Sequence, residues 1–214
     1  MSIHRFSSTE SFITAAAETV TAAALAVLSA QRKLVIALPG GSTAYKLVPA
    51  LCAAPLPWER ITFTLTDERW VAPDYPGSNE GLLRSLITGA TTAAAFAGYF
   101  REGIDAAAAT TELENRIPQP DIALLGMGAD GHIASIFPHD AANHSAARFA
   151  FVVRPDYPRL TLTPLALTQS RHLFVVTNGG DKAAMLERAV QDGAADDLPV
   201  RHALNAGAAV FLGP

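Results

Sequence analysis

The sequence predicts an α/β protein with a mostly parallel sheet flanked by helices on both faces. Two observations carry this. Short, continuous apolar runs alternate with segments of helical spacing, which is how strands buried on both faces read in sequence. Several of those runs also end directly in glycine-rich loops, at Gly40-Gly41, Gly126 to Gly131 and Gly179-Gly180. With 214 residues, 50% hydrophobic and 17% charged, a packed core is expected. No repeat, low-complexity tract or linker interrupts the chain, so residues 1–214 are read as a single domain.

The elements follow in order. Ile13, Ala17, Val20, Ala24, Val27 and Leu28 recur at helical spacing and predict an amphipathic first helix. Ser7 with Glu10 has the form of a capping box at its start. Glu10 and Glu18 precede the apolar "VTAAALAVLSA", where a signal peptide would be basic. "KLVIAL" reads as strand, and "AYKLVPALCA" as a helix made irregular by Pro49. "ITFTLT" is β-branched and strand-like. "DERWVAPDYPGS" is turn-rich, and "NEGLLRSLI" and "DAAAATTELENRI" are helical. "DIALLG" is a buried strand, with a helix expected after the loop that follows it. "ARFAFVV", "RLTLT" and "HLFVVTN" are strands, "DKAAMLERAVQ" a helix, and "AAVFLG" the last strand.

The bulk composition narrows the function. A formal net charge of −4 argues against non-specific nucleic-acid binding. No run is judged long and apolar enough to span a membrane. The one cysteine, Cys52, excludes an internal disulfide. Its apolar setting predicts a buried, inert thiol, and the cytoplasm as the compartment. His132, His139 and His144 are irregularly spaced, and neither H-E-x-x-H nor C-x-x-C occurs. No metal is expected.

In folds of this kind, ligands bind beyond the carboxyl ends of the strands, and four loops there carry chemistry. In "PGGSTAYKL", Gly41, Ser42 and Thr43 lie where a helix begins. Exposed N–H groups and two hydroxyls there suit a phosphate. A plain capped turn, or a nucleophile elbow displaced by one residue with Ser42 as nucleophile, fit the same residues. In "TDERWV", Asp67, Glu68 and Arg69 end a strand, either as an ion-pair cluster or with Arg69 facing an anion. Asn79 reads as a helix cap.

In "GMGADGH", the literal G-x-G-x-x-G fits a dinucleotide loop, with Asp156 as its distant acid. Asp130 would then repel the pyrophosphate. The other readings place Asp130 and His132 on a tight catalytic turn, or as the cap and first turn of a helix. In "TNGGDKAAML", Lys182 stands in a first helical turn. It opposes the helix dipole there, which favours an anion contact; a solvated surface lysine fits the same residues.

The segments "GGST", "DERWV" with "SNEGLL", "LLGMGADGHIASIFP", "PRLTLTPLAL" and "GGDKA" occur in that order over almost the whole chain. In this the chain resembles the 6-phosphogluconolactonases. The resemblance implies a Rossmann-like fold of the NagB/ribose-5-phosphate-isomerase type. It implies hydrolysis of 6-phospho-D-glucono-1,5-lactone to 6-phosphogluconate in the oxidative pentose phosphate pathway, with no cofactor and a small sugar phosphate lactone as the partner molecule. Carried onto these residues, His132 is expected to act as general base on water and Asp130 to orient it. Gly41, Ser42 and Thr43 cradle the phosphate, Lys182 supplies charge, and Arg69 and Arg159 contact phosphate or sugar oxygens. The alternative is a glucosamine-6-phosphate deaminase. Its similar loop continues G-H-I-A-F-N-E-P with a catalytic glutamate, where this chain has Ile136 and Phe137. It also has D-E-Y where this chain has Arg69.

Overall fold

The computed structural model describes all 214 residues, Met1–Pro214. It opens with a short strand, β1 (Ser2–Arg5), followed by helix α1 (Thr9–Ala30). The cap of α1 is Ser8, whose side chain accepts the Ser11 N–H. The box expected from Ser7 and Glu10 therefore does not form. By length and composition α1 passes for a membrane span, with 22 residues and a mean hydropathy of 1.6 over its most apolar window, contrary to the sequence expectation. In this fold its apolar face, with Phe12, Ala16, Val20, Ala24 and Val27, is buried in the core.

The chain continues through β2 (Leu34–Leu38), α2 (Gly41–Cys52), β3 (Ile61–Leu65), β4 (Asp67–Arg69) and α3 (Asn79–Leu86). Then come β5 (Ala95–Phe96), α4 (Ala106–Arg116), β6 (Ile122–Leu125), β7 (Phe149–Val152), β8 (Arg159–Leu162) and α5 (Pro164–Thr168). β9 (His172–Asn178), α6 (Gly180–Ala189), α7 (Val200–Asn205) and β10 (Ala209–Gly213) complete it. α2 runs through Pro49. Cys52 is half-buried, its thiol 3.9 Å from the Leu86 carbonyl oxygen.

Seven strands form one all-parallel sheet in the order β1-β10-β9-β6-β2-β3-β5. β2 and β6 are neighbours at its centre. From β2 the chain proceeds to β3 on one side, and from β6 it proceeds to β9 on the other. That is a topological switch point, where loops leaving adjacent strands diverge and open a crevice. β4, β8 and β7 form a separate antiparallel sheet. It hangs on the end of β3, because the Leu162 N–H donates to the Thr66 carbonyl at 2.8 Å and the Thr66 N–H to the Leu38 carbonyl at 3.0 Å. The charged "DER" segment is therefore a strand, held by pairing with β8.

The helix expected after Gly131 is absent. Gly131 has φ 82° and Ala134 φ 49°, and an Ile133–Ile136 bridge closes a tight turn instead. Two positive-φ residues in four break any right-handed helix. The turn is strapped from outside: the Val200 N–H donates to the Gly131 carbonyl and the His139 N–H to the Asp196 carbonyl, each at 2.9 Å.

Candidate active site

A cleft of about 250 Å³ opens at the switch point. Gly41, Ser42, Thr43, Arg69, His132, Arg159 and Lys182 all line it. Of the site residues the resemblance implies, Asp130 alone is not on its wall; its carboxylate is hydrogen-bonded to His132. The size suits a small metabolite.

One end is built from two helix N-termini. α2 follows β2, and α6 follows β9. Neither start is capped by a side chain, so the first-turn N–H groups remain free for an acceptor. The plain serine-capped turn is thereby ruled out for "PGGST". Lys182 stands in the first turn of α6 and forms no ion pair with a carboxylate. Partial burial, with Lys46 nearby adding repulsion, holds its ammonium below the ordinary lysine range. A free lysine beside two dipole ends has the electrostatics of an anion site.

The next part of the wall is the turn after β6, the strand between β9 and β2. The Gly131 N–H donates to the Gly128 carbonyl at 3.1 Å, and the Gly128 N–H to the His132 carbonyl at 2.9 Å. Asp130 Oδ1 accepts the His132 N–H at 3.1 Å and meets His132 Nδ1 at 2.6 Å. Burial alone would push the Asp130 carboxyl up. The hydrogen bonds and charge of His132 outweigh it, so the group sits below its ordinary value and stays ionised. An ionised carboxylate can only accept, so Nδ1 carries the proton and Nε2 is left as the basic nitrogen. The ring rests on Phe137, with centroids 4.6 Å apart. A Cβ at Gly128 would lie 2.2 Å from ring atoms of His132, so glycine is needed there for the imidazole to pack.

The third wall comes from the small sheet. Arg69 and Arg159 are directly opposite one another in the β4–β8 ladder. Like charges in that relation repel, unless something negative lies between them. Arg69 donates to Asn79 Oδ1 at 2.7 Å and to the Gly77 carbonyl at 3.2 Å. Arg159 donates to Asp156 at 2.6 Å, and its buried Nε has no partner in the protein.

Behind Arg69, the fully buried Glu68 carboxylate accepts the N–H groups of Arg69, Asn79 and Glu80 and the Ser78 hydroxyl. Burial pushes this carboxyl up to about 7, against the pull of those bonds. Glu68 thereby fastens the start of α3 to β4. The cap of α3 is Ser78, which accepts the Gly81 N–H, so Asn79 is free to hold Arg69 and lines the cleft. Sequence reasoning took Asn79 for the cap. The adjacent Ser-Asn pair was the available signal, since one of the two had to be released from capping.

Two readings fall on geometry. A dinucleotide loop needs a helix N-terminus after Gly131, which is missing, and its distant acid Asp156 is paired with Arg159. A nucleophilic Ser42 needs a base, yet no histidine is hydrogen-bonded to it. His139 and His144 stand outside the cleft, where each pairs with Asp196 at 3.1 Å.

Comparison with known proteins gives consistent matches. The family profile described as "Glucosamine-6-phosphate isomerases/6-phosphogluconolactonase" matches residues 7–211. A protein of Pseudomonas putida named 6-phosphogluconolactonase is 31% identical over 93% of this chain and 87% of its own. One of Mesorhizobium japonicum with the same name is 36% identical over 80% of this chain and 77% of its own. A crystal structure of a 6-phosphogluconolactonase from Shewanella baltica superposes with a TM-score of 0.90 at 28% identity, covering 100% of this chain and 97% of that one.

Proposed function

The chain belongs to the glucosamine-6-phosphate isomerase/6-phosphogluconolactonase family, and on that premise we propose how its cleft works, with His132 activating the water that opens the lactone. It is an enzyme of the lactonase kind and hydrolyses 6-phospho-D-glucono-1,5-lactone to 6-phosphogluconate in the pentose phosphate pathway. The observation that carries the mechanism is one cleft whose wall holds both an oriented imidazole and two uncapped helix starts with Lys182. At the position of the deaminase's polar pair stand Ile136 and Phe137, both buried. No carboxylate is there for ring-opening acid–base chemistry. The 214 residues are taken to act as one domain, in the cytoplasm, on this small molecule.

The phosphate sits on Gly41, Ser42 and Thr43, with Lys182 supplying charge. Binding there places the C1 carbonyl at His132, so that remote binding energy lowers the barrier at the reacting carbon. Nε2 takes a proton from water as its oxygen bonds to C1. Asp130 stabilises the resulting imidazolium. The tetrahedral intermediate then expels the ring oxygen of C5, which recovers the proton from Nε2. Arg159, with Nε free of protein partners, and Arg69 donate to substrate oxygens and balance the developing charge.

Lys182→Ala is expected to raise KM more than it lowers kcat. Binding of the product, 6-phosphogluconate, should also weaken with rising pH, at values below the ordinary lysine range. The sign follows from the lowered Lys182 ammonium, which is charged and binding at lower pH and neutral above. The alanine variant should lack this pH dependence. Titration calorimetry of product at several pH values checks it, and identical pH profiles for the two proteins would remove Lys182 from the phosphate site.

The reaction itself is tested with lactone generated in place from glucose 6-phosphate and product read through 6-phosphogluconate dehydrogenase. Acceleration over the spontaneous background is expected. Its absence, with ammonia released from glucosamine 6-phosphate, would move the chain to the deaminase branch.

A further inference from the structure

The cleft has one acidic side chain on its wall, Asp67, and the mechanism above gives it nothing to do. Asp67 begins β4, two residues before Arg69, so the two point to the same face of the strand. It is 8% exposed. Its Oδ2 accepts the Ser135 hydroxyl at 2.5 Å, and Oδ1 accepts the Thr66 hydroxyl at 3.4 Å. It forms no ion pair with lysine, arginine or histidine.

An ionised carboxylate offers about four acceptor positions. Two are met by hydroxyls, one of them at a long distance. A nearly buried acceptor facing a polar cleft calls for further donors. The phosphate and the lactone carbonyl of the substrate offer no proton and would be repelled. The ring hydroxyls are donors. Ser135 lies in the same turn as His132, so its short bond ties the Asp67 carboxylate in register with the reacting end of the cleft.

We propose that Asp67 accepts a hydrogen bond from a ring hydroxyl of the bound lactone and so selects hydroxylated sugar lactones over their deoxy counterparts. The proposal rests on the lactonase reading above. Asp67 takes no proton from water; it holds the sugar.

The test compares kcat/KM for 6-phosphogluconolactone with its 2-deoxy, 3-deoxy and 4-deoxy analogues. Wild type should favour the parent over at least one of these by roughly 10- to 100-fold, the worth of a hydrogen bond to a charged group. Asp67→Ala should reduce that preference to near unity while still hydrolysing the deoxy compound. Asp67→Asn, which keeps a neutral acceptor, should fall between the two. Equal handling of all four lactones by wild type would overturn the proposal without any variant being made. A uniform slowing of every substrate by Asp67→Asn would also overturn it, because the residue would then act on water or on His132. A wild type that accelerates no lactone at all would sink the lactonase reading, and this proposal with it.

Discussion

Replacing His132 with alanine should lower kcat by about 10²- to 10⁴-fold, the range general-base help supplies, and leave the fold intact. The ring lies at the rim, with 31% of the side chain exposed. Its contacts are the face of Phe137 and the carboxylate of Asp130. The chain path of the turn is set by main-chain bonds that alanine keeps, from Gly131 to Gly128 and from Gly128 to the residue-132 carbonyl. The melting temperature should therefore stay near that of wild type. Because the lactone also opens spontaneously, the coupled assay must be corrected for the uncatalysed rate. Turnover close to wild type after that correction would show that another group activates the water.

Gly128→Ala should be nearly as damaging to kcat, though it removes no reacting group. The added methyl would stand 2.2 Å from Cε1 and Nδ1 of His132 and 2.8 Å from Asp130 Oδ1. One of them must move. The imidazole yields, because it is the free end of a side chain while the backbone of the turn is bonded on both sides. Displacing a catalytic group by about 1 Å costs on the order of 10²-fold in rate. KM should change less, since the proposed phosphate contacts are made by α2 and α6. The measurement is kcat and KM together with a thermal melt. Wild-type kcat in a folded Gly128→Ala protein would mean that the position of His132 is not what limits the reaction.

The sheet was readable because its strands are buried on both faces. "LVIAL", "ITFTL", "IALL" and "HLFVVTN" are apolar enough to be recognised without partners. β1 was not seen, since "SIHR" is mostly exposed and becomes a strand only beside β10. "DER" looked like a loop because the donors that let its carboxylates be buried lie outside it, at the start of α3 for Glu68 and at Ser135 for Asp67. The G-x-G-x-x-G pattern suggested a following helix. What decides otherwise is the pair of positive-φ residues and the strap from Asp196 and Val200, neither of which a local pattern carries. Which residues gather in the cleft was more legible than the local structure around them. Asp130 and His132, two apart, meet by the geometry of the turn itself. The role of Asn79 depended on which of two neighbours caps α3, and the opposition of Arg69 and Arg159 depended on a register that spacing does not give.

The pairing of β1 with β10 bears on how the protein is made. Ser2 lies beside Ala209 and Arg5 beside Leu212, so this strand leaves the ribosome long before its partner does. Until β10 is made, β9 also lacks its neighbour on that side. The strap that fastens the turn carrying His132, at Asp196 and Val200, arrives only shortly before. Contacts this distant in sequence close slowly, and a waiting strand edge can pair with another chain. Nascent chains stalled before residue 209 should therefore carry a central sheet but an open flank, and depend on holding factors until synthesis delivers the closing strand.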